Sequence, residues 1–272
     1  MAVTMEEIKK LRTMTGAGMM DCKNALAESN GDMEKAIELI RKRGQAIAAK
    51  RSDREASEGC VLADVKDGFA AIVAVKCETD FVAKNADFVA LTKNILDAAL
   101  AQKVASKDAL LAMNIDGRTV ADLITERSGV TGEKMELGYY ECLNGASCVE
   151  YIHPGNKLAT IVSFSEAGVE RQVARDVAMQ VAAMNPVALN RDEVPADIKA
   201  KELEIGREKA REEGKPEQIL DRIAEGRLNK FFQENTLIEQ EFIKDNKQTV
   251  GAYCKANHAT PTAFRRVNLN QD

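Results

Sequence analysis

The chain has 272 residues, 30% of them charged and 45% hydrophobic, with a formal net charge of −5. That length holds two or three compact units, and the composition favours packed cores over wholesale disorder. The acidic balance excludes a surface given over to nucleic acid, and no run nears the roughly 18 apolar residues of a membrane helix.

The opening Met1-Ala-Val-Thr-Met-Glu-Glu7 is acidic where a signal peptide is basic and then apolar, so a cytoplasmic protein is expected. The first 44 residues read as three short helices. Thr4-Met5-Glu6-Glu7 is a capping box, with Val3 and Ile8 placed as a hydrophobic staple. Thr15-Gly16-Ala17-Gly18 breaks the first helix. The second, near Met19–Ser29, ends at Asn30-Gly31. Asp32 caps a third, which carries Ala36, Ile37 and Ile40 on one face and is expected to stop at Gly44. A unit this small has a thin core and suits recognition better than catalysis.

Residues 41–54 hold Arg41, Lys42, Arg43, Lys50, Arg51 and Arg54 with few acids between them. The run reads either as a solvated linker helix or as a contact with RNA or an acidic surface. No aromatic is interleaved for base stacking, which weakens a single-strand reading.

From about 57 to 189 strands and helices alternate, and the pattern repeats. Cys60–Lys66, Asp67-Gly68 and Phe69–Lys76 read as a hairpin, followed by a helix over Ala86–Leu100. Tyr139–Leu143, Asn144-Gly145 and Ala146–Ile152 read as a second hairpin, with a further strand at Leu158–Phe164 and a helix at Val169–Met184. Two related α+β halves are expected, joined by a helical stretch at 104–128. Asn185-Pro186 ends the second helix, because the residue before proline avoids the helical basin.

Between the first hairpin and its helix lies Glu78-Thr79-Asp80-Phe81-Val82-Ala83-Lys84-Asn85, an exposed connection out of a sheet. Two readings stand there. Asp80 caps the helix while Phe81 closes the core beneath the turn, or Phe81 fills a partner's pocket while Asp80 competes for polar groups near a cation or phosphate.

Residues 196–235 are charge-dominated. Gly214-Lys215-Pro216 separates two helical runs, the second with Ile219, Leu220, Ile223 and Phe231 along one face. This is an antiparallel helical hairpin, read either as a plain surface feature or as a projecting arm for a partner or dimer contact. Thr249–Val267 reads as a helix and then a strand returning to the second half.

Catalytic chemistry is sparse. The six cysteines form no Cys-x-x-Cys pair. In the Asn144-Gly145 register Cys142 faces Ser147 and not Cys148, so reduced, buried thiols are expected. His153 and His258 sit in turns, and two histidines leave a zinc site few ligands. Gly16-x-Gly18 lacks the strand and third glycine of a dinucleotide site, and Gly214-Lys215-Pro216 lacks the rest of a phosphate loop. No cofactor is expected, and the balance moves toward a binding protein.

Three segments carry a family resemblance: Thr13-Met-Thr-Gly-Ala-Gly-Met-Met-Asp-Cys-Lys-Asn-Ala-Leu26, Asn30-Gly-Asp32 and Thr79-Asp-Phe-Val-Ala-Lys84, with Val181-Ala-Ala-Met-Asn-Pro186 further on. Their order and spacing closely resemble the bacterial elongation factor Ts family. The likeness runs over nearly the whole chain and thins at about 100–135 and through 196–235. It implies a non-enzymatic guanine-nucleotide exchange factor for elongation factor Tu, which acts in translation elongation by promoting GDP release. It also implies an α+β architecture: a ubiquitin-associated-like three-helix domain at 1–55, a two-part core of antiparallel sheets layered with helices at 56–138 and at 139–190 with 245–272, and a protruding helical-hairpin arm at 191–244 that is a candidate dimer contact through 196–235.

By the same resemblance Thr79, Asp80, Phe81 and Val82 form the magnesium-dislodging motif. Phe81 is implied to wedge between partner helices and Asp80 to disturb the magnesium and phosphate groups. Met19, Met20 and Asp21 are implied partner contacts of the N-terminal domain. No membrane and no direct nucleic-acid contact are expected; an RNA-binding module using Arg41–Arg54 is the alternative class. One departure from the resemblance is that the sequence stops at Asp272, soon after Phe264-Arg-Arg-Val267, where some relatives carry a further helical module, which leaves that module's contacts open.

Overall fold

The computed structural model describes residues 3–270. Met1 and Ala2 of the expected N-terminal domain, and Gln271 and Asp272 of the expected core, lie outside the described residues. In chain order the elements are α1 (Met5–Thr15), α2 (Met19–Glu28), α3 (Met33–Lys50), β1 (Glu58–Lys66), β2 (Phe69–Cys77), α4 (Asp80–Ala83), α5 (Ala86–Gln102), α6 (Lys107–Ala112), β3 (Asn114–Ile115), β4 (Arg118–Thr119), α7 (Val120–Thr131), β5 (Glu136–Asn144), β6 (Ser147–Ile152), β7 (Leu158–Phe164), α8 (Arg171–Met184), α9 (Ala196–Glu212), α10 (Leu220–Asn235), β8 (Glu241–Phe242), β9 (Asp245–Thr249), α11 (Val250–Ala256) and β10 (Pro261–Asn268). Helix and sheet are mixed, as an α+β chain requires. The larger sheets run β1-β2-β5 and β10-β7-β6, and β3-β4 and β8-β9 are two-stranded ribbons. Two compact units emerge. One takes the described residues within Met1–Leu62, Val73–Glu141 and Leu269–Asp272; the other takes Ala63–Ile72 and Cys142–Asn268.

In the first unit, α1 to α3 close on Ile8, Leu11, Cys22, Ala25, Leu26 and Ala36. The expected capping box is present: the Glu7 amide donates to Thr4 Oγ1 at 3.3 Å and the Thr4 amide to Glu7 Oε2 at 2.8 Å. Asn30 (φ 53°) and Gly31 (φ 83°) make the left-handed stop after α2.

The third helix departs from expectation. α3 does not stop at Gly44 but runs on to Lys50. Gly44 is buried where α3 crosses α7, and a Cβ there would sit 3.5 Å from the Gly129 Cα. That distance is ordinary contact, so Gly44 lies inside a continuous helix packed on α7 and marks no terminus. The stretch 104–128 also departs, because the ribbon β3-β4 interrupts the expected helices.

In β1–β2, Asp67 (φ 49°) and Gly68 (φ 72°) form the expected two-residue turn. The hairpin expected at Asn144-Gly145 does not form. Neither residue has positive φ, β5 joins β1-β2, and β6 joins β7. The Gly145 amide instead donates to the Gly68 carbonyl at 3.0 Å, and a Cβ on Gly68 would press to 2.7 Å from the Gly145 carbonyl oxygen. With no hairpin there, Cys142 does not face Ser147 in the expected register. The second hairpin is β6–β7, with Ser147 opposite Phe164 and Ile152 opposite Ala159.

The core of the second unit gathers Val149, Val162 and Phe164 of that sheet with Val173, Val177 and Val181 of α8. β10 completes the sheet against β7, with Val267 opposite Ala159. Asn185 ends α8 in the left-handed region at φ 43°. Along α9 and α10, Gly206 meets Ala224, while Arg207 pairs with Asp221 at 2.6 Å and Arg211 with Glu217 at 3.0 Å. Of the expected seam only Leu220 is fully buried; Ile219 is 40% exposed, and Ala224 and Phe232 take the inner positions.

Asp176, buried on α8, accepts from Gln172 Nε2 at 2.6 Å and Tyr253 OH at 3.0 Å, and pairs with Lys244 Nζ at 2.6 Å. Burial, then the bond to Asp176, pushes the Tyr253 phenol up to about 12. Burial likewise pushes the Cys77 and Cys254 thiols up to about 12 and about 11. Unfolded thiols ionise near about 8.5 and unfolded tyrosine near about 10. The folded state therefore holds these protons longer, and its stability is whole below pH about 8.5 and falls as pH rises through these folded values. Urea melts from pH 7 upward are expected to show a declining alkaline limb. Tyr253→Phe is expected to remove only the part above pH about 10. A flat profile between about 8.5 and 11 would contradict this account.

Candidate functional site at the strand–helix turn

β2 is buried along nearly its whole length, so the chain leaves the sheet at Glu78 from a fixed end. The next residue, Thr79, is extended (φ −121°, ψ 153°), and its hydroxyl accepts from the Val82 amide at 3.4 Å. Thr79, not Asp80, is thus the cap of α4, and Asn85 caps α5 by accepting from the Asp87 amide at 2.9 Å. The capping role read for Asp80 is overturned because two short-side-chain residues, one ahead of each helix, already fill those positions.

Phe81 is 85% exposed, the most exposed of the large apolar side chains described. The reading that buries it beneath the turn is overturned as well: Ala83 is the buried residue of α4, and a four-residue helix cannot turn both positions inward. Asp80 is half-buried and pairs with Lys84 at 2.7 Å, one helical turn on. That bond raises the Lys84 ammonium above its ordinary value. Val82 is half-buried.

Two carboxylates that sequence reasoning missed, Glu78 and Glu133, brace the turn. Glu133 Oε2 accepts from the Glu78 and Thr79 amides at 3.1 and 3.0 Å, and Glu133 Oε1 accepts from Thr79 Oγ1 at 2.6 Å. In return the Lys134 amide donates to Glu78 Oε1 at 2.6 Å. Lys134's amide, with Arg54 assisting, holds the Glu78 carboxyl below the usual carboxylate range. Glu133 lies 54 residues from Thr79, so no local pattern points to it. The Cys77 thiol beneath the turn donates to the Thr79 carbonyl and is buried, which leaves it unreactive near neutral pH.

Met19, Met20 and Asp21 stand on another element, the first turn of α2. Met20 is 64% exposed, Asp21 is exposed, and Met19 packs partly against the three-helix core. The basic run is largely satisfied by the protein's own acids. Arg41 lies 2.7 Å from Glu126, Lys42 2.8 Å from Glu38 and Arg43 2.6 Å from Glu28, while Arg51 and Arg54 reach Glu78 at 3.6 and 3.2 Å. Cations spent this way form a poor phosphate-binding strip.

Comparisons with known proteins agree with one another. The family model described as Elongation factor TS matches residues 78–271, a span that includes the turn. A Porphyromonas gingivalis protein named Elongation factor Ts is 63% identical over 275 residues, covering 100% of both chains. The protein of that name from Azobacteroides pseudotrichonymphae is 56% identical over 274 residues, again with 100% of each covered. That of Amoebophilus asiaticus is 52% identical over 257 residues, with 93% of each covered. Among the described residues no helix is long and apolar enough to cross a membrane.

Proposed function

Because this chain belongs to the elongation factor Ts family, with a nucleotide-exchange role in translation elongation, we propose that it binds elongation factor Tu carrying GDP and opens the magnesium and phosphate site. The observation that carries this reading is Phe81, 85% exposed on a braced turn. An apolar ring held in water is an unfavourable arrangement that a partner's pocket relieves.

Such a factor needs no covalent chemistry and is not a catalytic enzyme in that sense. It must bind the nucleotide-free partner better than the loaded one. By linkage, whatever the factor takes from nucleotide affinity the nucleotide takes from the factor's affinity. A coupling of about 4–5 kcal/mol shifts the balance a thousandfold or more. Magnesium is an efficient target because it is the largest local charge on the phosphates. In this reading Thr79 and Val82 present the turn, Phe81 fills a cleft between partner helices, and Asp80, held in place by Lys84, perturbs the ion's ligands. Met19, Met20 and Asp21 add a second contact from the three-helix domain, which we take to be of the ubiquitin-associated type.

The proposed division is 1–55 for that domain, 56–138 for the first core half, 139–190 with 245–272 for the second, and 191–244 for an arm that contacts a second copy through 196–235. The setting is the cytoplasm.

The direct test is release of a fluorescent GDP analogue from elongation factor Tu. Adding the wild-type chain is expected to accelerate release by at least a hundredfold at saturation; release at the unassisted rate would refute the reading.

A further inference from the structure

Taking the exchange reading as its basis, we propose that Glu133 is a positioning residue for exchange, whose carboxylate holds the Glu78–Val82 turn in the engaged conformation before a partner arrives. α4 spans Asp80–Ala83 only. One turn of helix fixes several dihedral angles in return for very few hydrogen bonds and does not persist unaided. Something outside the segment must therefore hold it, and Glu133 is placed to do so.

Its two oxygens take three donors from two consecutive residues: the Glu78 and Thr79 amides on Oε2 and the Thr79 hydroxyl on Oε1. The third bond has a directional consequence. By donating to Glu133, the Thr79 hydroxyl leaves its lone pairs for the Val82 amide at 3.4 Å, so the carboxylate sets the orientation of the cap. Charge assistance makes the 2.6 Å bond the strongest of the set.

Glu133 is itself fixed. Gly132 closes α7 in the left-handed region at φ 74°, where its amide donates to the Ser128 carbonyl at 2.9 Å. Ser128 Oγ then donates to the Glu133 carbonyl, and the Glu133 amide to Thr131 Oγ1 at 3.3 Å. The bond from the Lys134 amide to Glu78 closes the exchange between the two segments. The clamp therefore rests on the end of α7, outside the turn it holds. Phe81 contributes no bond to it, so the clamp and the aromatic ring are separable by mutation.

A loosened turn populates the engaged conformation less, and apparent affinity falls by that fraction while the bound complex reacts as before. For Glu133→Ala the half-saturating concentration in the GDP-release assay is expected to rise about tenfold with the plateau rate kept. Thr79→Val, which removes the hydroxyl but not the volume, is expected to shift the same way. Combining Glu133→Ala with Thr79→Val is expected to cost no more than the worse single change, because both cut one unit. In the free protein, amide hydrogen exchange at Val82, Ala83 and Lys84 is expected to speed at least tenfold in Glu133→Ala, with β2 amides unchanged. Acceleration of β2 to the same extent, or unchanged exchange at the turn, would overturn the assignment. So would a half-saturating concentration equal to wild type when the wild type itself is active. No acceleration of GDP release by the wild type would instead overturn the exchange reading, and this role with it.

Discussion

Phe81→Ala is expected to slow factor-stimulated GDP release by roughly 30- to 150-fold at subsaturating factor, with no loss of thermal stability. The magnitude follows from burial of one aromatic side chain, about 2–3 kcal/mol when fully enclosed, at about 1.4 kcal/mol per tenfold. The separation from stability follows from exposure. At 85% exposed, the ring makes almost no contact that folding could use. The bonds of the turn come from other groups: the Thr79 hydroxyl, the carbonyls of Thr79, Asp80 and Val82, and the Glu78 and Glu133 carboxylates. Urea or thermal melts together with release kinetics check both halves. Wild-type kinetics in the variant would remove Phe81 from the mechanism. A matching loss of stability would mean that the ring is structural after all.

The second large effect concerns the fold. Gly129→Ala is expected to destabilise the chain by about 3 kcal/mol or more, whereas Gly44→Ala is expected to be neutral or to stabilise by up to about 1 kcal/mol. Both glycines lie within helices at the crossing of α3 and α7, Gly129 in the last turn of α7, and the propensity scale alone favours alanine at each. Sterics separate them. A Cβ on Gly129 would overlap the Gly44 Cα and lie 3.1 Å from its carbonyl carbon, and those are backbone atoms that cannot rotate away. A Cβ on Gly44 meets nothing closer than 3.5 Å. Overpacking usually costs about 1–3 kcal/mol, and an immovable neighbour puts Gly129 at or above the upper end. Equilibrium urea unfolding of the two variants decides the matter, and equal effects at the two positions would show that the helices re-space without cost.

The same pair explains why part of the fold was illegible in the sequence. Gly44 in an otherwise helical run reads as punctuation, yet α3 continues through it because the helix packs on α7 there, with Gly129 giving the close approach. Asp67-Gly68 and Asn144-Gly145 carry the same turn signal. The first obeys it. The second does not, because strand membership is decided by sheet pairing, to which the dipeptide is blind. Signals of short range served better: the Thr4–Glu7 box and the Asn30-Gly31 stop stand as read, and so does one long-range reading, the return of β10 to β7. At the turn, its place after a buried strand and its exposure were legible. The identity of the cap was not, since Thr79 and Asp80 are both good N-cap types and only geometry chooses. Glu133 was beyond reach, because a carboxylate 54 residues away has no periodic or spacing relation to what it binds.

Arg51 and Arg54 give α3 a mechanical meaning. The helix is 18 residues long, or about 27 Å, and its middle, from Ile37 to Ile47, lines one cavity with Gly18 and Asp21 at the start of α2. Just past its far end Arg51 and Arg54 both reach Glu78, three residues ahead of the exposed ring. The two surfaces proposed to meet the partner are therefore joined by a strut and not by a tether. Once one has docked, the other is held near its target at high effective concentration, and little chain entropy remains to be lost. Glu78→Ala is expected to loosen this link at its far end, leaving the packing of α3 on α7 to hold the two surfaces together.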